Sequence, residues 1–286
     1  VRLLYNVDHP SPIPVPPPPE SVPEDLERLP FPTLGVAGDP DLMHHKYVVR
    51  DGRLVWSGST NWTNDSWSRQ ENVVAVVDSP ELATAFSINF EELWRGESVR
   101  DSGDVEPRRV HVGDAVVRPW FCPRYGDALS HRIAEAIGRA RRRVRIASPV
   151  LTSGPVLATA AEVAGEGRSD LAGVLDSTQV DDVFRQWRLE GVSAWKIPLL
   201  ETVLNKAPFS GKNSTPWAPG SLHDFMHAKV TVADDVVFVG SFNLSRSGEK
   251  NAENVLEIRD ATLADRMAAF VDEIRARYPR AAVPPA

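Results

Sequence analysis

The apolar positions of the chain follow two patterns. Short runs rich in β-branched residues, such as Tyr47-Val48-Val49, Leu54-Val55-Trp56 and Val73-Val74-Ala75-Val76-Val77, are bounded by polar turns and predict strands. Longer segments place apolar residues three and four apart and predict amphipathic helices. One such stripe is Leu82, Phe86, Phe90, Leu93 and Trp94; another is Leu263, Met267, Phe270, Val271 and Ile274, and both are expected to face a core. The first of these helices opens at Ser79-Pro80-Glu81, a capping serine followed by proline at the first helical position. Between them the spacing predicts strand (Ala115 to Pro119), helix (Ala128 to Arg142), strand (Val144 to Pro149), helix (Gly154 to Ala164) and strand (Leu171 to Leu175). Strands alternating with helices in this way indicate an α/β layered unit.

The pattern also repeats. Residues 44–94 and 227–278 each begin Met-His-x-Lys, pass through an apolar run to an aspartate, and reach a second run that ends in Gly-Ser-x-Asn. Each then carries Glu-Asn, a third apolar run and a closing helix. The expected fold is therefore α/β, with two similar α-β-α sandwich repeats related by a pseudo-twofold axis. The first repeat has 43 residues ahead of His44, too few for the strand-helix-strand-helix leader of the second, so it is expected to lack these N-terminal elements. The divisions are 1–94 for the first repeat, 95–112 for a linker and 113–280 for the second. The linker is charged and turn-rich between Arg95 and Arg109. The run Pro10 to Pro23 favours extended polyproline structure, read as a stiff surface loop or as a ligand for a proline-binding partner.

Composition narrows the function. With 42% hydrophobic and 25% charged residues and a formal charge of −7, the chain is expected to be soluble, without a global charge suited to polyanions. Cys122 is the one cysteine and excludes an intrachain disulfide; its apolar surroundings indicate plain packing. No apolar run reaches the roughly 18 to 20 residues of a membrane span, although contact with a membrane surface stays open. The first residue is Val, not Met, so an upstream segment or signal peptide stays open, as do cytoplasmic and secreted locations. Arg139, Arg141, Arg142, Arg143 and Arg145 form a basic cluster, read chiefly as complementing a helix C-terminus. Trp62, Trp67 and Trp217 lie on loops beside the repeated motifs, available for stacking, for a lipid interface or for packing.

In a strand, residues two apart share a face, which places His44 with Lys46, His227 with Lys229, Ser59 with Asn61, and Ser241 with Asn243, while His45 points away. If two such faces converge, the site offers two imidazoles, two ammonium groups and two carboxamides. That set suits a phosphodiester: Lys46, Lys229, Asn61 and Asn243 would stabilise charge on the phosphoryl oxygens, and two lysines can stand in for a metal. A pair of imidazoles can divide nucleophile and acid roles near neutral pH. Adjacent His44 and His45 face opposite ways and are not expected to ligate a metal, and no cofactor is expected.

These motifs resemble the signature of the phospholipase D superfamily, HxK(x)4D followed by GSxN. The first copy is His44, Lys46, Asp51 and Gly58-Ser59-Thr60-Asn61; the second is His227, Lys229, Asp234 and Gly240-Ser241-Phe242-Asn243, one residue shorter between aspartate and glycine. The resemblance implies His44 as nucleophile, forming a covalent phosphohistidine, and His227 as general acid. It implies that Asp51 and Asp234 hold structure and that Glu71 and Glu253 orient the catalytic imidazoles from behind. The implied activity is cleavage of a phosphodiester, a phospholipid head group being favoured, with transfer to an alcohol possible. A metal-independent endonuclease of the same superfamily and a non-catalytic phosphate-binding module remain the alternatives.

Overall fold

The apolar runs become strands and the periodic segments become helices in the computed structural model, which describes residues 1–7, 23–38, 41–96, 98–215 and 223–285. The chain begins β1 (Leu3–Val7), α1 (Pro23–Glu27), β2 (Thr33–Ala37), β3 (Tyr47–Arg50), β4 (Leu54–Gly58), α2 (Asn64–Ser68), β5 (Val74–Asp78) and α3 (Pro80–Gly96). It continues through β6 (Val110–Val112), β7 (Ala115–Phe121), α4 (Gly126–Arg139), β8 (Arg143–Ala147), α5 (Gly154–Glu166), β9 (Asp170–Asp176), α6 (Ser177–Glu190) and α7 (Ile197–Lys206). It closes with β10 (Phe209–Lys212), β11 (Val230–Ala233), β12 (Val236–Gly240), α8 (Arg246–Lys250), β13 (Asn254–Arg259) and α9 (Ala261–Arg277). The order β7-α4-β8-α5-β9 is the one expected from the sequence, with ends displaced by at most three residues. Most of the proline-rich run and Trp217 lie outside the described residues.

The fold is mixed α/β around a mixed eight-stranded sheet of order β10-β9-β8-β11-β12-β13-β7-β6. Its β10-β9-β8 edge is parallel and the other pairings are antiparallel. A three-stranded antiparallel sheet, β3-β4-β5, has the same order and sense as β11-β12-β13. β1 and β2 form a parallel pair, as β9 and β10 do. The residues ahead of His44 thus include a strand-helix-strand unit, in which the strand-like opening Val1 to Asn6 becomes β1 while α1 and β2 were not expected.

Two apolar cores lie on the two sides of the large sheet. One packs α4, α5, α6 and α7 against it through residues such as Ile133, Leu157, Phe184 and Phe238. The other joins both sheets: Leu82 and Phe86 of α3 and Val271 of α9 pack with Val55, Val237 and Leu256. Phe86 is the wedge, its ring 4.9 Å edge-on from both Tyr47 and Phe121. β11 and β12 are therefore buried on both faces, whereas β3 alternates and leaves Val48 exposed. On that open face Trp62 and Trp67, each 64% exposed, lie beside Trp56 with centroids 6.2 and 6.3 Å away.

Three expectations change. Phe90 and Trp94 are not core: they stack on each other at 5.6 Å, half-exposed, with the Arg2 guanidinium over both rings. The arginine cluster is solvated only in part: Arg139, in the last turn of α4, and Arg142 stay exposed while pairing with Glu135 and Asp235, whereas Arg143 is largely covered and pairs with Asp265. Arg145 is buried between Asp170 and Asp272, which outweigh the burial that would lower its pKa. Within the stretch read as a linker, Val99 and Val105 are buried and Val110 already begins β6.

Candidate active site

His44 and His227 lie in extended chain just ahead of β3 and β11, outside the strands in which the side-chain alternation had placed them. Each lead-in is anchored from the preceding parallel pair. The Met43 amide donates to Asn6 Oδ1 of β1 at 3.0 Å, and the Met226 amide donates to Asp176 Oδ2 of β9 at 3.0 Å. Each lead-in also bridges across to the other half of the chain, Met43 to Ala252 and Met226 to Glu71. His44 is consequently held by residues 251–253, and His227 by Asn72 from the first half.

The partners of the two imidazoles differ. His44 Nδ1 lies 2.8 Å from both oxygens of Glu253, which is fully buried and also receives the Asn251 amide at 3.2 Å. His227 Nδ1 faces Asn72 Oδ1 at 3.0 Å. Glu71, expected to orient a catalytic imidazole, instead pairs with Lys212 at 2.6 Å and accepts from the Tyr278 hydroxyl. The cause is a one-residue shift in strand register. The Ser59 amide donates to Val73, whereas the Ser241 amide donates to Asn254, and Gly58 pairs with Val74 where Gly240 pairs with Val255. Asn72, not Glu71, thus occupies the position equivalent to Glu253. The extra residue is absorbed after α2, where the Arg69 and Gln70 amides both donate to the Asp65 carbonyl, at 2.8 and 3.1 Å.

The lysines converge on the same space. Lys46 Nζ donates to the His44 carbonyl and Lys229 Nζ to the His227 carbonyl, each at 2.8 Å, and both side chains are buried. Burial pushes Lys229 well below its usual pKa, and the charge of Lys46 adds to the shift. Burial also lowers His44, opposed in part by Glu253, with Lys46 and Lys229 lowering it further. It lowers His227 much more, with Lys229, Lys46, His44 and His223 adding to the shift. For Glu253, burial alone would raise the pKa, but His44 and Lys46 outweigh it and hold the carboxylate low. Residues 183 positions apart in sequence thus share one electrostatic field.

The remaining motif residues divide into positioning and open groups. Ser59 Oγ donates to Asn72 Oδ1 at 2.7 Å and accepts the Val73 amide at 3.0 Å, so it braces the support of His227. Ser241 Oγ accepts the Asn254 amide at 3.0 Å and also hydrogen-bonds Glu253. Asn61 and Asn243 follow β4 and β12, both partly buried, and the buried Oδ1 of Asn243 has no hydrogen-bond partner among the described residues. Asp51 and Asp234 are turn residues with positive φ, 55° and 51°. Asp234 accepts the amides of Arg141, Arg142 and Arg143 at 2.8, 2.9 and 3.1 Å, while Asp51 contacts Arg50 on the surface. His45 turns into the core against Tyr47 and Phe121, its pKa lowered by burial to about 4.

Sequence reasoning missed Asn72 and Asn251, and also Phe225, whose ring lies 4.7 Å from that of His227. The Asn that follows Glu71 in both copies was a visible signal, but its role depends on strand register. Among the described residues no group of three His, Cys, Asp or Glu side chains is placed to hold a metal ion.

A family model described as "Cardiolipin synthase, PLD-like domain" matches residues 19–94 and 133–275, more than half of the chain. The chain belongs to the phospholipase D-like phosphodiesterase family. Curated relatives include the mitochondrial cardiolipin hydrolase of Chlamydomonas reinhardtii, 40% identical over 52 residues, which are 18% of this chain and 23% of the relative. The enzyme of that name from Homo sapiens is 34% identical over 73 residues, 26% of this chain and 29% of the relative. The chain thus spans between about a fifth and a third of the length of these phospholipase D-like relatives. Among solved structures, phosphatidylserine synthase from Haemophilus influenzae Rd KW20 aligns with a TM-score of 0.60 at 14% identity, over 87% of this chain and 65% of that one. At this identity the likeness concerns the fold.

Proposed function

We propose that the chain is a phosphodiesterase that cleaves a phospholipid head-group bond through a phosphohistidine. Two α-β-α repeats, 1–94 and 113–280 joined through 95–112, would meet about a pseudo-twofold axis at His44 and His227. The observation that carries the reading is the crossed support of the two histidines, His44 by Glu253 and His227 by Asn72, with Lys46 and Lys229 in the same field. Each half of the chain holds the histidine of the other, so the site exists only when both halves are assembled.

Lys46, Lys229, Asn61 and Asn243 would bind the non-bridging oxygens, which carry most of the charge in phosphoryl transfer, and so fill the electrostatic role of a metal. One imidazole forms an N–P bond while the other protonates the departing alcohol oxygen. Water, or an alcohol in a transfer reaction, then gives its proton to the second imidazole and displaces the first. The phospholipid preference is supported by the names of the cardiolipin hydrolase relatives and by Trp62 and Trp67, exposed beside the first Gly-Ser-x-Asn motif and suited to an interface. Head-group release from mixed phospholipid vesicles, compared with DNA cleavage in EDTA, tests the reading. Wild-type protein is expected to act on lipid and His44→Ala not to; DNA cleavage without lipid turnover would replace phospholipid with nucleic acid as substrate.

A further inference from the structure

The chain leading to His227 presents one face to the site and anchors the other. On the anchored face Asp224 pairs with Lys212, and Met226 is fully buried with its amide on Asp176. Because side chains alternate in extended backbone, His223, Phe225 and His227 fall on the opposite face. Their rings stack in series, His223 to Phe225 at 4.6 Å and Phe225 to His227 at 4.7 Å between centroids. The ladder runs outward from buried His227 to partly buried Phe225 and His223. His223 is itself fixed: a carbonyl can only accept, so Nδ1–H donates to the Thr215 carbonyl at 2.7 Å and the lone pair lies on Nε2. Its charge reaches the site, where it adds to the lowering of the His227 pKa. The lead-in to His44 carries Leu42 at the position of Phe225, so the two sides of the site differ in chemistry.

We propose that His223 and Phe225 form the alcohol subsite, holding the group that leaves in the first step and the acceptor that enters in the second, and that they select neutral alcohols with a second hydroxyl over alcohols with an ammonium group. The assignment rests on the phosphodiesterase reading above, with His44 as the imidazole that binds phosphorus; Glu253 behind it can balance the charge that ring then acquires. In the first step His44 Nε2 bonds phosphorus, the P–O bond to the alcohol breaks, and that oxygen takes the Nε2 proton of His227. The alcohol therefore departs along the His227 ladder. In the second step an incoming alcohol gives its proton to His227 Nε2, its oxygen bonds phosphorus, and the N–P bond to His44 breaks. A second hydroxyl on that alcohol can donate to Nε2 of His223 while its carbon chain lies on Phe225. An ammonium group is poorly matched here. The carboxylates of the adjoining elements are taken, Asp224 and Glu71 by Lys212 and Glu253 by His44, and Lys46 and Lys229 add positive charge to the same field.

Bis(p-nitrophenyl) phosphate, given to the full chain with glycerol or ethanolamine present, tests this, because the enzyme-bound p-nitrophenyl phosphoryl group then partitions between water and the added alcohol. The ratio of transfer product to hydrolysis product does not depend on how much protein is folded, so a merely structural effect leaves it in place. Wild type should transfer to glycerol at least about 10-fold more readily than to ethanolamine at equal concentration, the margin of about one hydrogen bond. His223→Ala should bring the two acceptors to within about 2-fold of each other, and His223→Gln, which keeps an acceptor, should recover part of the preference. Phe225→Ala, which removes the ring that supports His223, should act in the same direction as His223→Ala. An unchanged preference in His223→Ala, a wild-type preference for ethanolamine, or hydrolysis without transfer to either acceptor overturns the subsite. Failure of wild type to release p-nitrophenol from this diester and head group from phospholipid overturns the phosphodiesterase reading instead.

Discussion

One residue of strand register decides the electrostatics of the site. Both copies carry Glu-Asn at the same distance from Gly-Ser-x-Asn, yet the turn after α2 takes up one residue, and the carboxylate opposite His44 becomes an amide opposite His227. Because side chains alternate along a strand, such a slip replaces one functional group with another without altering composition. Two predictions belong at this scale. Replacing either His44 or His227 with Ala should lower phospholipid turnover by roughly 10²–10⁴-fold, measured as head-group release at saturating lipid. Glu253→Gln should reduce kcat by roughly 10–100-fold. Since the Glu253 charge raises the pKa of His44, its removal lowers that pKa and should draw the limb of the pH profile that His44 sets to lower pH.

The elements that hold the site depend on polar anchors at their ends. Asp234 ties the β11–β12 turn to the start of β8 through three backbone amides, and these overcome the burial that would raise its pKa. Its folded pKa is depressed, so the stabilisation is full above the unfolded value of about 3.9 and disappears as pH falls through the folded value. Asp234→Ala should cost about 1.5–3 kcal/mol in urea unfolding at pH 7, and the gap from wild type should narrow below pH about 3.5. Among the described residues the Asp51 side chain, the matching one of the first copy, hydrogen-bonds only with Arg50, and Asp51→Ala should cost less than about 0.5 kcal/mol in the same assay. Lys212 illustrates a second anchor: burial would lower its pKa, but Asp224 and Glu71 raise it, so the cation pins the end of β10 to the chain before β5.

At the level of the whole molecule, the core shared by the two sheets ties the halves together. Phe86, fully buried, contacts Tyr47 from its own half and Phe121 from the other. Phe86→Ala should destabilise the protein by about 3–5 kcal/mol. Because this core joins Val55 and Leu82 to Val237 and Leu256, unfolding followed by tryptophan fluorescence and by circular dichroism should show one coincident transition. Two separated transitions would mean that the halves fold independently. The open face around Val48 and Trp56 belongs to the smaller sheet; the corresponding large-sheet strands are covered by α4 and α5, whose apolar residues join Phe238 in the core.

The sequence by itself determined the elements and the residue types of the site. Hydrophobic period gave β7-α4-β8-α5-β9 and the two long closing helices, because local packing faces are written into spacing along the chain. The repeated His-x-Lys and Gly-Ser-x-Asn motifs named the residue types that the fold brings together at the candidate site. The opening residues Val1 to Asn6 are strand-like, but α1, β2, α2 and α8 were not visible, since five-residue elements carry too little periodicity to stand out. Tertiary structure decided which histidine meets which partner. His44 and Glu253 are separated by 209 positions, and His227 and Asn72 by 155, so their pairing depends on register and on a turn after α2 that no local pattern specifies. The same assembly buried Arg145 in ion pairs and gave the two imidazoles, identical in sequence motif, unequal electrostatic surroundings.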